Sequence, residues 1–285
     1  MSIPARLIDR EEWSKFAPWF MQVAAAGPGV APADDIVEHT NTLVPFATTT
    51  TVVDMGCGPG QITNALLQKY GAHLPAQAKV IGADNNPAML AQYRMRRDKE
   101  IDAGHADWKR VEAILTDVHD CAAFEDNSLS HILASFVVFL VPEPAKAINA
   151  MREKLSPGGV LAFSAWASSE WQDLMYYPTK VRKDLFMPSP PAEWTQPAGV
   201  QAQLDKIGFQ SIEVTQTTGY LSFTDYDEIC RFILFKMPLA ARVVAQMSDG
   251  EVLQTHALMV ADLRDKYPAL PAQMIGTATV AYCRK

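Results

Sequence analysis

The sequence predicts an α/β fold: a mostly parallel sheet with helices on both faces, preceded by N-terminal helices and carrying an inserted helical cap. Three observations predict it. From residue 51 onward, short apolar runs alternate with amphipathic segments, the pattern of parallel βαβ units. The first run feeds a turn holding Gly56, Gly58 and Gly60. After Ser168 the composition shifts to prolines and aromatics, as in an insertion.

Taken in order, the apolar residues Trp13, Phe16, Trp19, Phe20 and Val23 recur every three or four positions, which predicts an amphipathic helix from Asp9 to about Ala26. Gly27-Pro28-Gly29 ends it, and a second helix is expected from Asp34 to Val44. The strands expected next are Thr51 to Asp54, Val80 to Asp84, Val111 to Leu115, His131 to Ser135 and Val160 to Trp166. Between them lie helices at Gln61 to Tyr70, Pro87 to Arg97 and Glu143 to Leu155. A cap with Trp171, Tyr176, Tyr177, Phe186 and Trp194 occupies Ser168 to Pro197. A helix at Val200 to Ile207, closed by Gly208, leads to a sixth strand at Phe209 to Thr217. Helices are expected at Tyr226 to Phe235 and Ala240 to Arg264, and Ile275 to Cys283 suits a final edge strand. The sum is a Rossmann-like, mostly parallel seven-stranded sheet. Three regions are expected: a helical lead-in or lid (1–50), a ligand-binding core (51–167), and the cap with the C-terminal completion of the sheet (168–285).

Bulk properties narrow the function. With 285 residues, 48% hydrophobic and 20% charged, the chain can bury a large core and is neither disordered nor fibrous. A net charge of -7 is the wrong sign for a phosphate backbone, so nucleic acid is not expected as a partner. The cluster Arg94, Arg96, Arg97 and Lys99 reads as a solvated helix face without function. Cys57, Cys121, Cys230 and Cys283 are far apart and lack metal-ligand spacing, which predicts reduced thiols and no metal. The first residues lack the order of a signal peptide, and no apolar run approaches the ~18 residues of a membrane span. A cytoplasmic protein without membrane partners is expected. Oligomeric state is not legible.

The glycine turn sits between a strand and a helix, where missing side chains let a ligand approach the backbone and helix amides favour an anionic group. A plain tight turn explains the glycines equally well. Asp84 adds to the case. It closes the second strand 24 residues after Gly60, where a carboxylate can accept both hydroxyls of a ribose. It competes with a simpler reading in which Asp84 or Asn85 caps the helix opening at Pro87. Together the two features imply an adenosine-containing ligand. The dinucleotide fingerprint requires a third glycine at position 61 or 63, and those residues are Gln61 and Thr63.

What stands there instead, V-V-D-M-G-C-G-P-G-Q from Val52 to Gln61, resembles the first motif of class I S-adenosylmethionine methyltransferases, particularly the ubiquinone and menaquinone methyltransferase branch. The likeness runs from about Thr51 to Ala167 and includes Leu-Ser-Pro-Gly-Gly-Val-Leu before strand five. It implies S-adenosylmethionine as cofactor and a set of residues that hold it. Gly56, Cys57, Gly58 and Gly60 would line the methionine moiety, Asp54 would orient its ammonium group through the loop, and Asp84 would hold the ribose. Asn85 and Met89 would flank the adenosine. Asp117 would meet the adenine amino group beside Val118, and Ser135 and Phe136 would face the transferred methyl.

A sulfonium is already an electrophile, so methyl transfer needs an aligned nucleophile in a dry cleft more than it needs catalytic side chains. No catalytic residue is assigned. Aromatic residues near the expected mouth, Phe20 and Trp166 foremost, could wall a substrate pocket, although each also suits ordinary packing. His39, His119, His131 and His256 are candidate bases, and none stands out. The expected reaction moves a methyl group to a small, fairly apolar acceptor through oxygen, sulfur, nitrogen or carbon, with a thiol of a secondary metabolite among the options. A catalytically silent S-adenosylmethionine-binding regulator is the rival. A nicotinamide-dependent oxidoreductase is disfavoured by the missing glycine.

Overall fold

The computed structural model describes residues 10–285, without the side chains of residues 22–25. Seven strands form one sheet: β1 (Thr51–Met55), β2 (Lys79–Asp84), β3 (Val111–Leu115), β4 (Leu129–Ser135), β5 (Leu155–Ser169), β6 (Gln210–Phe223) and β7 (Ala272–Arg284). Their order is β3-β2-β1-β4-β5-β7-β6, and β7 runs antiparallel to both of its neighbours while the other pairs are parallel. The expected Rossmann-like, mostly parallel seven-stranded sheet is therefore present. Strand order reverses between β1 and β4, and ligands of such sheets bind in the crevice outside the strand ends at that switch.

One strand placement is corrected. The segment expected at the edge, β7, lies inside the sheet, and β6 is the edge. From Ala278 to Cys283 every residue of β7 is buried, because the two helical layers cover both faces, Ala281 and Cys283 entering one core and Ala278, Val280 and Tyr282 the other. The polar positions of Gln210 to Thr217 fit the exposed margin instead.

The helices are α1 (Arg10–Ala26), α2 (Val30–Leu43), α3 (Gln61–Tyr70), α4 (Pro87–Asp102), α5 (Pro144–Lys154), α6 (Glu170–Met175), α7 (Tyr177–Val181), α8 (Pro197–Ile207), α9 (Tyr226–Lys236), α10 (Pro238–Val244) and α11 (Asp249–Lys266). Strand residues alternate between two cores. Val53, Ile132 and Phe163 pack against α5 and α8, while Val52, Leu133 and Ala162 pack against α2, α3 and α4. A third core joins α6, α7 and α9 to α11 in the cap, around Trp171, Ile233, Leu234 and Met259.

Several helix boundaries differ from expectation. The segment from Ala240 to Arg264 is two helices, because Ser248 caps α11 in a reciprocal capping box with Glu251. Helix α2 begins at Val30, since Pro32 is tolerated in a first turn. Helix α4 continues to Asp102. The expected start of the first helix at Asp9 and the packing of Val23 lie outside the described residues.

Candidate functional site

The turn after β1 is built for close backbone packing. Gly56, Gly58 and Gly60 take φ of 67°, 47° and 82°, the left-handed region that other residues enter at a cost. A Cβ on Gly56 would lie 2.3 Å from Val137 Cγ2, and one on Gly58 would lie 3.2 Å from the Phe20 ring. The amides of Gly56 and Cys57 donate to Ala83 O at 2.7 and 3.0 Å, so the turn hooks onto the end of β2.

Asp84 completes that hook. One carboxylate oxygen accepts from the Gly58 amide at 3.0 Å and the other from the Asn86 amide at 2.8 Å. Burial raises its pKa, and these backbone donors pull it back. Asp54 is more deeply enclosed and accepts from both the amide and hydroxyl of Thr63, at 3.0 and 2.8 Å. Burial pushes its pKa up to about 7 against the opposing pull of Thr63. The Thr63 hydroxyl also meets Tyr93 Oη at 2.8 Å, and the glycine at 82 leaves room for that ring, because a Cβ there would lie 2.2 Å from Tyr93 Cζ.

The basic cluster on α4 requires correction. Arg96 is half-buried and donates through Nη1 to Pro59 O at 3.3 Å and Gly60 O at 3.2 Å, with its guanidinium 6.0 Å from the Trp108 ring centroid. Arg94 donates to Ala113 O at 3.3 Å. Arg97 pairs with Asp98 and matches the solvated reading better. The i, i+3 spacing of Tyr93 and Arg96 places both toward the turn, a signal available in the sequence.

Neither Asp84 nor Asn85 caps α4. Asn86 does, accepting from the amides of Ala88 and Met89 at 2.8 and 3.3 Å. Its Nδ2 donates to Arg10 O at 2.8 Å and Ser14 Oγ at 3.1 Å, which ties α1 to the same site. Asn85 donates to Asp117 Oδ2 at 3.1 Å, and Asp117 Oδ1 accepts from the His119 amide at 3.0 Å and meets His119 Nδ1 at 2.7 Å.

At the end of β4, Ser135 Oγ meets Ser164 Oγ at 3.1 Å. Phe136 adopts φ of 56°, held by its amide donating to Ser164 O at 3.1 Å. Strain of this kind on a non-glycine residue costs roughly 1–3 kcal/mol and concentrates at functional sites. Its ring stacks on Trp166 at 4.3 Å and 13°, and Trp171 meets Trp166 edge-on at 4.9 Å and 88°.

These groups enclose a cavity of about 590 Å³ outside the switch point. Of the residues singled out in the sequence, Asp54, Gly56, Cys57, Gly58, Asp84, Asn85, Met89, Val118, Ser135, Phe136, Phe20 and Trp166 line it; Gly60 and Asp117 do not. Thr116, Gln61 and Arg10 line it and were not anticipated. Phe20 packs over Gly58, at the glycine end of the cavity. None of the candidate histidines is on the wall. His39 meets Glu213, His256 lies near Asp227, and His131 is buried against Val44 O with its pKa pulled down to about 4 by burial. Trp19 and Phe186 are exposed, and Tyr177 bonds Asp262 within the cap. Among the described residues no cluster of His, Cys, Asp or Glu could hold a metal, and no helix is long and apolar enough to cross a membrane.

The cavity is large enough for a nucleoside-sized cofactor plus a small second molecule. Its two ends differ. Backbone turns, Asp84 and Asn85 form one, and aromatic and aliphatic side chains form the other.

A family model described as a methyltransferase domain matches residues 53–163. The chain is 27% identical over 272 residues to the methyltransferase ucsB of Acremonium sp., covering 95% of this chain and 93% of that one. It is 30% identical over 132 residues to the trans-aconitate 2-methyltransferase of Methylobacterium nodulans, covering 46% of this chain and 42% of that one. The phosphoethanolamine N-methyltransferase 2 of Haemonchus contortus, solved with S-adenosylhomocysteine, shares the fold at TM-score 0.51 and 17% identity, over 90% of this chain and 54% of that one.

Proposed function

Because this chain belongs to the class I S-adenosylmethionine-dependent methyltransferases, we propose that its cavity holds the cofactor at the glycine end and a small, fairly apolar methyl acceptor at the aromatic end. When bound, S-adenosylmethionine supplies a methyl group on a positively charged sulfur.

The residues divide the work accordingly. The bare backbone from Gly56 to Gly58 accommodates the methionine part, and Asp54 sets the turn by anchoring Thr63 at the start of α3. Asp84, with lone pairs beyond those given to Gly58 and Asn86, accepts the ribose hydroxyls. Met89 and Val118 pack against the base, and Ser135 and Phe136 form the boundary between the two ends. Asp117 is off the wall and bonded to Asn85 and His119, so we assign it to fixing Asn85 rather than to touching adenine. Phe20 and Trp13 from α1 close the mouth and exclude water.

The observation that carries this reading is the continuity of one cavity from the glycine turn and Asp84 to the Phe136, Trp166 and Trp171 rings. Trans-aconitate, the acceptor in the bacterial relatives' name, is a tricarboxylate. Arg10 is the one basic side chain among the described lining residues, a poor match for three carboxylates, which favours an uncharged or singly charged acceptor. We place the reaction in secondary metabolism, a reading supported by likeness to fungal methyltransferases.

Thermal unfolding tests the proposal. S-adenosylmethionine is expected to raise the melting temperature and NAD is not, and Asp84→Ala is expected to abolish the shift while the variant still unfolds cooperatively. Stabilisation by NAD alone would refute it. Cofactor binding without S-adenosylhomocysteine release from any acceptor would favour the silent regulator.

A further inference from the structure

Among the described residues, the aromatic end of the cavity holds no enclosed group suited to take a proton from an acceptor. Asp54, bonded to Thr63, and Asp84, bonded to Gly58 and Asn86, belong to the glycine end. The Cys57 thiol is buried with its pKa pushed well up. No described histidine or lysine lines the wall. Asp173 lines it as a solvent-exposed residue. A neutral alcohol or a protonated amine needs a base to become a nucleophile, and a positioned base is worth about 100-fold or more. An acceptor that sheds its own proton to water does not.

The walls specify shape and charge. Phe136 stacked on Trp166, with Trp171 edge-on, forms flat aromatic surface at the junction of the two ends, and Phe139, Leu140 and Met175 extend it. Planar rings pack well against such faces. Asp84 and Asp173 outnumber the one guanidinium on the described wall, which disfavours a polyanion, while a single negative charge is balanced by the cofactor's sulfonium.

We infer that the acceptor is a planar, largely apolar molecule carrying one group that ionises unaided near neutral pH: a phenol acidified by conjugation, or an aromatic thiol. This rests on the methyl-transfer reading above. The acceptor's proton goes to solvent before the chemical step. Its oxygen or sulfur lone pair then forms the bond to the methyl carbon as the carbon–sulfonium bond breaks. S-adenosylhomocysteine leaves as a neutral thioether, and no proton remains for the protein to remove. The enzyme contributes alignment and a dry, apolar wall.

The test uses the full chain with 4-nitrophenol, 4-nitrothiophenol, cyclohexylmethanol and benzylamine. Calorimetric titration with S-adenosylmethionine comes first, and absence of cofactor binding would remove the methyl-transfer reading itself. With cofactor binding established, methylation of the nitrophenol or the nitrothiophenol is expected at least about 100-fold faster than of the alcohol or amine. The two arms separate oxygen from sulfur. The pH of half-maximal rate should follow each acceptor's own pKa, and Asp173→Asn should leave it unmoved. Independently of turnover, 4-nitrophenol bound to protein loaded with S-adenosylhomocysteine is expected to perturb Trp166 and Trp171 fluorescence. Comparable turnover of the alcohol, a pH inflection common to all acceptors and lost in Asp173→Asn, or neither binding nor methylation of the acidic acceptors by cofactor-competent protein would each overturn the inference.

Discussion

Replacing Arg96 by Met isolates the contribution of a cation that never touches the cavity. The methionine keeps length and apolar contact with Trp108 but removes the donors to Pro59 O and Gly60 O, at 3.3 and 3.2 Å. Each hydrogen bond from a charged donor is worth about 1.5–3 kcal/mol. Part of that is offset, because the guanidinium is half-buried and burial lowers its pKa, leaving a net loss of about 2 kcal/mol. At about 1.4 kcal/mol per tenfold, a loss confined to the turn weakens cofactor binding by about 30-fold. Isothermal titration with S-adenosylhomocysteine reads that share, and urea unfolding reads the share falling on the whole fold. Arg97→Met, which removes only the partner of Asp98, is the control. If Arg96→Met binds within about twofold of the parent and unfolds at the same urea concentration, the clamp contributes nothing and the reasoning fails.

Other outcomes follow from the same site. Gly56→Ala is expected to lose roughly 1–2 kcal/mol from its left-handed backbone alone and more from the Val137 collision, with Val137→Ala restoring only the second part in urea melts. Asp54, raised from 3.8 to about 7, holds a proton when folded that the unfolded chain has released, so it should make stability fall as pH rises across that window; a difference profile against Asp54→Asn shows the slope. His131 acts in the opposite direction. Lowered from 6.5 to about 4, it stays neutral when folded, so its contribution is lost as pH falls through that interval, and His131→Gln should flatten that part of the profile.

Much of the glycine end of the cavity is legible in the sequence because it is made of short-range chemistry. The turn from Asp54 to Gly60 and the acid ending β2 are fixed by neighbours in sequence, and α3 was bounded at Gln61 and Tyr70 as observed. What escaped depends on partners far along the chain. Asn86 caps α4 and ties α1 at once, while the basic cluster hid Arg96 because exposure is a property of packing. The bond from Asn85 to Asp117 likewise joins segments that the sequence alone does not bring together. The interior position of β7 was equally opaque, since a run of small and β-branched residues reads alike at a margin or between two covered faces. The break at Ser248 is encoded in a capping box, Ser248 to Glu251, inside a run whose periodicity reads as one helix.

Residues Phe223 and Ala272 face each other across the β6–β7 pair, although helices α9 to α11 intervene between them in sequence. The two points where those helices leave and rejoin the sheet are thus neighbours, as in an ordinary hairpin. Lengthening a connection between fixed ends adds only about 0.6 kcal/mol per doubling. A lineage can therefore remodel the share of the cavity wall that this insertion supplies, Phe232, Met237, Pro238 and Leu239, while the ladder beneath keeps its register. In such an architecture that stretch of lining varies as a detachable graft, and the glycine turn stays with the stock.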